Sequence, residues 1–176
     1  MNRLFETARG VQTFCDRQGW RSCFIGGLAV QRWGEPRVTR YVDLALLTGF
    51  GNEMPFIATL TAGYPARVPD AVAFALRNRV LLLKTTEGVG IDVSLGELPF
   101  EECVVSRASS FSFGPGLDIR TCSAEDLIVL KLFASRPLDV RDAETVVLRL
   151  NKPSAGGTSK SNLARWARPK RSPRSS

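Results

Sequence analysis

The chain has 176 residues, 44% of them hydrophobic and 23% charged, which suits one domain with a real core and provides no apolar run of about 18 residues to span a bilayer. It contains no histidine, so Ser-His-Asp and Cys-His hydrolases are excluded and acid-base chemistry falls to carboxylates, lysine or metal-bound water. The net charge of +7 is unevenly placed: residues 1–150 hold 17 basic and 17 acidic side chains, and the whole excess lies in residues 151–176.

In chain order, Leu4, Phe5, Ala8, Val11, Phe14 and Cys15 recur at three- and four-residue spacing and predict an amphipathic helix over residues 3–18, stopped by Gly19. The N-terminal MNRLFETARG lacks the apolar centre of a signal peptide, so the expectation is a cytoplasmic protein. A short strand over residues 21–25 leads to Gly26 and Gly27, then a helical LAVQRW, a turn through Gly34 and Pro36, and a strand YVDLALL. A glycine pair after a strand lets a backbone approach a phosphate at a helix N-terminus, and it is equally the chemistry of a plain turn. Carboxylates are depleted from strands, so Asp43 inside YVDLALL needs a reason, and metal binding is one.

Helices are expected over residues 53–61 and 70–77, then a hairpin of two strands, residues 80–85 and 89–95, turning through Thr86, Glu87 and Gly88. The second strand carries Asp92 between β-branched neighbours, and a solvent-facing acid on an edge strand is the other reading of that residue. A short helix over residues 99–105 and a strand pair around GPG follow. Ser123 with Asp126 three residues on reads as a capping box opening a helix over residues 124–134, and Pro137 starts a last helix to about residue 150. The junction KLFASRPLDVRD places Lys131, Arg136, Asp139 and Asp142 close together. Lys131 and Arg136 are candidates to meet triphosphate oxygens, and a salt-bridged helix-helix corner is the alternative. The four cysteines, Cys15, Cys23, Cys103 and Cys122, have no CxxC spacing and read as buried thiols, with a redox role as the other reading. Residues 151–176 are rich in Ser, Pro, Gly and Arg and read as a basic, disordered tail able to touch RNA or DNA.

The glycine pair and the run Arg37, Val38, Thr39, Arg40, Tyr41, Val42, Asp43 resemble motif I of the nucleotidyltransferase superfamily, which includes polymerase β-like enzymes, small MNT-type proteins and AbiEii-type toxins. KLFASRPLDVRD resembles the Lys-x4-Arg and Asp-x-x-Asp motifs of the AbiEii-type branch. The resemblance implies an α/β (α+β) fold, a small mixed twisted sheet flanked by helices. It implies metal ligation by Asp43 and Asp92, catalytic roles for Asp43, Asp92, Lys131, Asp139 and Asp142, and nucleotide contacts from Gly26, Gly27, Arg37, Thr39, Lys131 and Arg136. The cofactor would be one or two Mg ions and the ligand a nucleoside triphosphate. The acceptor would be an RNA such as tRNA or a protein, with a cognate antitoxin as partner and no membrane.

The chain departs from that family's pattern at its C-terminal end, where relatives usually continue into more helix, and in motif I, where Tyr41 stands in place of the first Asp of an Asp-x-Asp pair. Side chains alternate along a strand, so residues 41 and 43 share a face, and a phenol there brings no carboxylate to a magnesium ion, which prefers charged oxygen ligands. Two-metal catalysis is therefore expected to be impaired, with a catalytically inactive nucleotide- or RNA-binding module as the alternative.

Overall fold

The computed structural model describes residues 3–152; the basic tail expected from composition lies, from residue 153 onward, outside them. The elements are α1 (Arg3–Arg17), β1 (Ser22–Ile25), α2 (Gly26–Trp33), β2 (Tyr41–Leu47), α3 (Glu53–Gly63), α4 (Ala71–Asn78), β3 (Val80–Lys84), β4 (Gly90–Gly96), α5 (Pro99–Ser106), β5 (Ser109–Ser112), β6 (Asp118–Thr121), α6 (Ala124–Ala134) and α7 (Pro137–Leu150). The expected elements are all present, with ends displaced by a residue or two.

Local causes are visible at several of these elements. In α1 the buried residues are Leu4, Ala8, Val11 and Cys15, one stripe of a helix with 3.6 residues per turn. At the start of α6 the Ser123 hydroxyl accepts the Asp126 N–H at 3.1 Å and donates to the Asp126 carboxylate at 2.8 Å. The expected serine cap is thus made, and it satisfies one of the otherwise orphaned donors of the first turn. Proline opens α7, where a missing N–H costs nothing and the ring pre-sets φ.

The six strands lie in the order β3-β4-β2-β1-β6-β5. β1 pairs antiparallel with β2, β2 parallel with β4, β3 antiparallel with β4, β1 parallel with β6, and β5 antiparallel with β6. This is the mixed sheet the resemblance implied. β4 is an interior strand, which removes the edge-strand reading of Asp92.

Alternation along β2 and β4 divides the core. Val42, Leu44 and Leu46 of β2, with Ile91, Val93 and Leu95 of β4, pack with Leu4, Ala8 and Val11 of α1, Ile57 and Leu60 of α3 and Ala75 of α4. On the opposite face Cys23 and Ala45 join Ala29 and Val30 of α2, Val104 and Val105 of α5, Leu127 of α6 and Val146 of α7. Burying each large aliphatic side chain contributes roughly 1.5–3 kcal/mol, so both faces hold the sheet in place. Asp43, in phase with Ala45, and its strand partner Asp92 lie on this second face, with Asp43 against the start of α2.

Candidate functional site

β2 and β4 are paired so that Asp43 lies directly opposite Asp92, while Tyr41 lies opposite Gly90. Adjacent strands are about 4.8 Å apart, so parallel pairing in this register sets two carboxylates side by side on one sheet face. On its other side β2 places Asp43 opposite Ile25, the residue just before the glycine pair. The Asp43 carboxylate accepts the Gly27 N–H at 3.3 Å. Gly26 has φ +60, and a Cβ on it would stand 2.1 Å from Asp43 Oδ2. Glycine is therefore required at position 26 both by the left-handed backbone and by the close approach of the acid.

The glycine pair thus does a more specific job than the sequence suggested. The Gly27 N–H, a candidate phosphate donor, is directed at Asp43. A Cβ at Gly27 would lie 2.7 Å from the Thr39 hydroxyl, which in turn donates to the Tyr41 carbonyl at 3.2 Å. Gly26, Gly27, Thr39, Tyr41 and Asp43 are in this way one packed unit, built from the end of β1, the start of α2 and the start of β2.

Burial and then the neighbouring Asp92 charge push the Asp43 carboxyl up to about 6, against the opposing pull of the Gly27 N–H, Lys131 and Arg136. Asp92 is also raised, by burial, with the Arg67 guanidinium opposing. Two like charges held side by side resist joint ionisation. A cation between them relieves both.

The second cluster forms at the α6–α7 corner. Lys131 is buried, and its Nζ lies 2.8 Å from Asp139 Oδ1 and 2.8 Å from Asp142 Oδ2. Arg37 meets Asp142 through a two-pronged fork, Nε to Oδ1 and Nη2 to Oδ2, both at 2.8 Å. Arg136 donates to both oxygens of Asp139 while its own side chain is 75% exposed. Burial alone would raise the two carboxyls, but the hydrogen bonds from Arg136 and Lys131 hold Asp139 below its ordinary value, and those from Arg37 and Lys131 do the same for Asp142. The cluster is the salt-bridged corner in geometry. It also carries three cations against two anions, and that surplus is felt at Asp43 through Lys131 and Arg136.

All the sequence-stated residues therefore fall on one side of the sheet in two linked groups: Asp43, Asp92, Gly26, Gly27, Thr39 and Tyr41 at the β2–β4 end, and Arg37, Lys131, Arg136, Asp139 and Asp142 at the corner. Of the three cations at the corner, Lys131 is the least exposed and Arg136 the most. Two residues had drawn no attention. Arg67, from the segment between α3 and α4, forms an ion pair with Asp92 and sets its guanidinium carbon 4.8 Å from the centre of the Tyr41 ring. Gly90 leaves room for that ring. Neither has a periodic signature; flanking Pro65 and Pro69 mark Arg67 only as lying in a turn-rich segment.

Among the described residues no group of three or more His, Cys, Asp or Glu side chains converges as a metal site. The donors present, Asp43 and Asp92, are hard oxygen ligands of the type magnesium takes and fit one ion. A two-ion arrangement does not fit, because Tyr41 adds no carboxylate to this face and Arg67 already pairs with Asp92. Surface hollows of about 420 Å³ beside Gly34, Pro36 and Arg149 and about 320 Å³ beside Glu6, Tyr64 and Glu87 are lined by neither carboxylate.

No family model and no curated protein matches the chain. Solved structures do resemble it. An antigenic nucleotidyltransferase-like protein from Paracoccidioides brasiliensis aligns with a TM-score of 0.55 at 14% identity, over 82% of this chain and 75% of that one. The antibiotic-resistance factor ANT(2'')-Ia aligns at 0.54 and 14%, over 82% and 81%. The lincosamide antibiotic adenylyltransferase LnuA, solved with lincomycin bound, aligns at 0.51 and 14%, over 82% and 97%. At such identity the likeness is one of fold, and the fold is nucleotidyltransferase-like.

Proposed function

We propose that the chain binds a nucleoside triphosphate with one Mg ion at the Asp43–Asp92 face and belongs functionally with AbiEii-type nucleotidyltransferases, with transfer to an RNA, such as tRNA, or a protein acceptor impaired by Tyr41. The observation that carries this reading is the register of β2 and β4, which sets Asp43 beside Asp92 and against the glycine pair that opens α2. Magnesium bound there would neutralise phosphate charge and help align an attacking oxygen with the α-phosphate. The chain's own residues supply the rest. Asp43 and Asp92 hold the cation, Gly26 and Gly27 let the backbone close on Asp43 and Thr39 and so fix the carboxylate in place, and the surplus positive charge of Arg37, Lys131 and Arg136 favours the phosphates electrostatically. Arg136, exposed and at the rim, is the donor best placed to turn from Asp139 to a phosphate oxygen.

The structural neighbours' names include an antibiotic-resistance factor and an adenylyltransferase of lincosamides, so an antibiotic acceptor such as a lincosamide belongs in the same assay as RNA and protein. A toxin role with a cognate antitoxin, and action in the cytoplasm, follow from the AbiEii-type resemblance; no described helix is long and apolar enough to cross a membrane.

A second reading has its own observation in favour. Every cation of the corner cluster is matched to a carboxylate, and Asp92 is matched to Arg67, the pattern of a module that binds a nucleotide without turning it over. One experiment separates the two. Labelled nucleoside triphosphate and magnesium are supplied to the parent and to Tyr41→Asp, with RNA, protein and lincosamide acceptors. Label transferred by Tyr41→Asp and not by the parent is the expected result. Equal, strong transfer by both would refute impairment, binding without transfer by either would favour the module, and binding by neither would remove the reading altogether.

A further inference from the structure

We propose that Arg67 is a built-in cation of the nucleotide site, its guanidinium standing on Asp92 in place of a second divalent ion. The proposal rests on the reading of Asp43 and Asp92 given above, and it assigns a ligand-binding role to a residue outside every motif considered so far.

Three observations converge on it. First, Arg67 is positioned from the backbone up: its N–H donates to the Leu82 carbonyl at 2.9 Å, and Ala66 bridges Leu83, so the segment lies along β3 as a fragment of an extra strand. Leu82 is paired with Asp92. The side chain therefore starts at the sheet margin and crosses β3 to reach the Asp92 carboxylate, where Nη2 meets Oδ1.

Second, Tyr41 and Gly90 fit this arrangement. A Cβ at Gly90 would stand 2.2 Å from Tyr41 Cδ1, 2.7 Å from Cε1 and 3.3 Å from Arg67 Nη1. The absence of a side chain at 90 lets the phenol ring lie down on the neighbouring strand, and the ring then forms a face for the guanidinium. A cation over an aromatic face is attracted to it, more so when partly desolvated, and Arg67 is 22% exposed. Tyr41 is thus more than a lost ligand. It removes a negative charge and at the same time supports a positive one two residues from Asp43.

Third, Arg67 Nε is buried and has no hydrogen-bond partner among the described residues. Buried donors are nearly always paired, and each exception calls for a reason. A guanidinium is a planar fork of five donors suited to holding a carboxylate and a phosphate at once. With one edge on Asp92 it has donors left over for a phosphate oxygen. A second divalent ion at Asp92 would have to displace it against like-charge repulsion.

The consequence is a site that binds the triphosphate with less dependence on divalent metal. ATP is the probe, titrated in excess EDTA and in excess magnesium, with melting temperature recorded for each variant as a control on folding. The parent should retain ATP binding in EDTA within about tenfold of its magnesium value. Arg67→Gln should lose roughly tenfold or more of the metal-free binding, the size of one charge-assisted hydrogen bond, and keep most of the magnesium-supported binding. Arg67→Lys, which keeps the charge and loses the fork, should fall between them. Independently of any variant, counting Mn²⁺ by electron paramagnetic resonance on the ATP-saturated parent should give one ion per chain, rising to two in the double variant Tyr41→Asp, Arg67→Gln. ATP binding that is abolished by EDTA in the parent, or unchanged by Arg67→Gln in EDTA, or two Mn²⁺ ions on the parent, would overturn the role of Arg67 while leaving the nucleotide site standing. No ATP binding in either condition would remove the nucleotide site itself, and Arg67's role with it.

Discussion

Lys131 and Asp142 meet inside the protein, Nζ to Oδ2 at 2.8 Å with both side chains under 10% exposed. Lys131 bridges Asp142 to Asp139 and so ties α6 to α7. Removing one member of a buried charged group leaves the others unpaired, which typically costs about 3–5 kcal/mol, far more than an exposed pair contributes. Lys131→Met should therefore lower the unfolding free energy by about that amount in urea titration, whereas Arg136→Ala, at a largely exposed guanidinium, should cost under about 1 kcal/mol. Equal losses from the two would contradict the buried corner.

The pH dependence of stability should carry two opposite signatures. Asp43 has its value raised from 3.8 to about 6, so between those values the folded state holds a proton the unfolded chain has released. Stability of the ion-free protein should then fall as pH rises from about 4 to about 6, by of order 2–3 kcal/mol. Asp92, also raised, acts in the same direction. Asp139 and Asp142 are lowered; their contribution is present above the ordinary carboxylate value and is lost as pH falls through their lowered values. Urea midpoints from pH 2 to 8 read both limbs. Asp43→Asn should flatten the 4-to-6 limb, and an unchanged slope in that variant would sink the assignment.

Glycines 26 and 10 should respond in opposite ways to alanine. At Gly26 the new Cβ would meet Asp43 Oδ2 at 2.1 Å on a backbone at φ +60, so Gly26→Ala should destabilise by roughly 1–3 kcal/mol and weaken nucleotide binding. Gly10 lies within α1 with open space around its Cβ position, and Gly10→Ala should stabilise by about 0.5–1 kcal/mol. Thermal melting of the two variants gives the comparison directly.

Much of the fold was legible because its signals are local. The 3.6-residue stripe of α1, the serine cap before α6 and the proline at the head of α7 each depend on neighbours in sequence. The shared face of residues 41 and 43 followed from alternation alone. What escaped was non-local. The register that sets Asp43 beside Asp92 is made by parallel strands joined through two helices and β3, and no turn chemistry fixes such a pairing. Lys131 read either as a phosphate ligand or as part of a salt-bridged corner, and the two carboxylates it meets in space are set by the packing of α6 on α7. Arg67 sits in an aperiodic segment, so its approach to Asp92 depends wholly on tertiary structure.

The placement of β4 beside β2 also bears on how the chain folds. Their pairing closes a loop that contains α3, α4 and β3, and contacts of such long sequence separation form slowly because chain entropy is lost before they reward it. The same pairing drives two carboxylates together. Pairing β2 with β4 is therefore a step with a local conflict in it, eased at low pH or by a cation, so refolding should run faster where Asp43 is protonated than where it is charged. In this protein the seam that joins Asp43 to Asp92 should therefore close at a rate set by pH and by available cations.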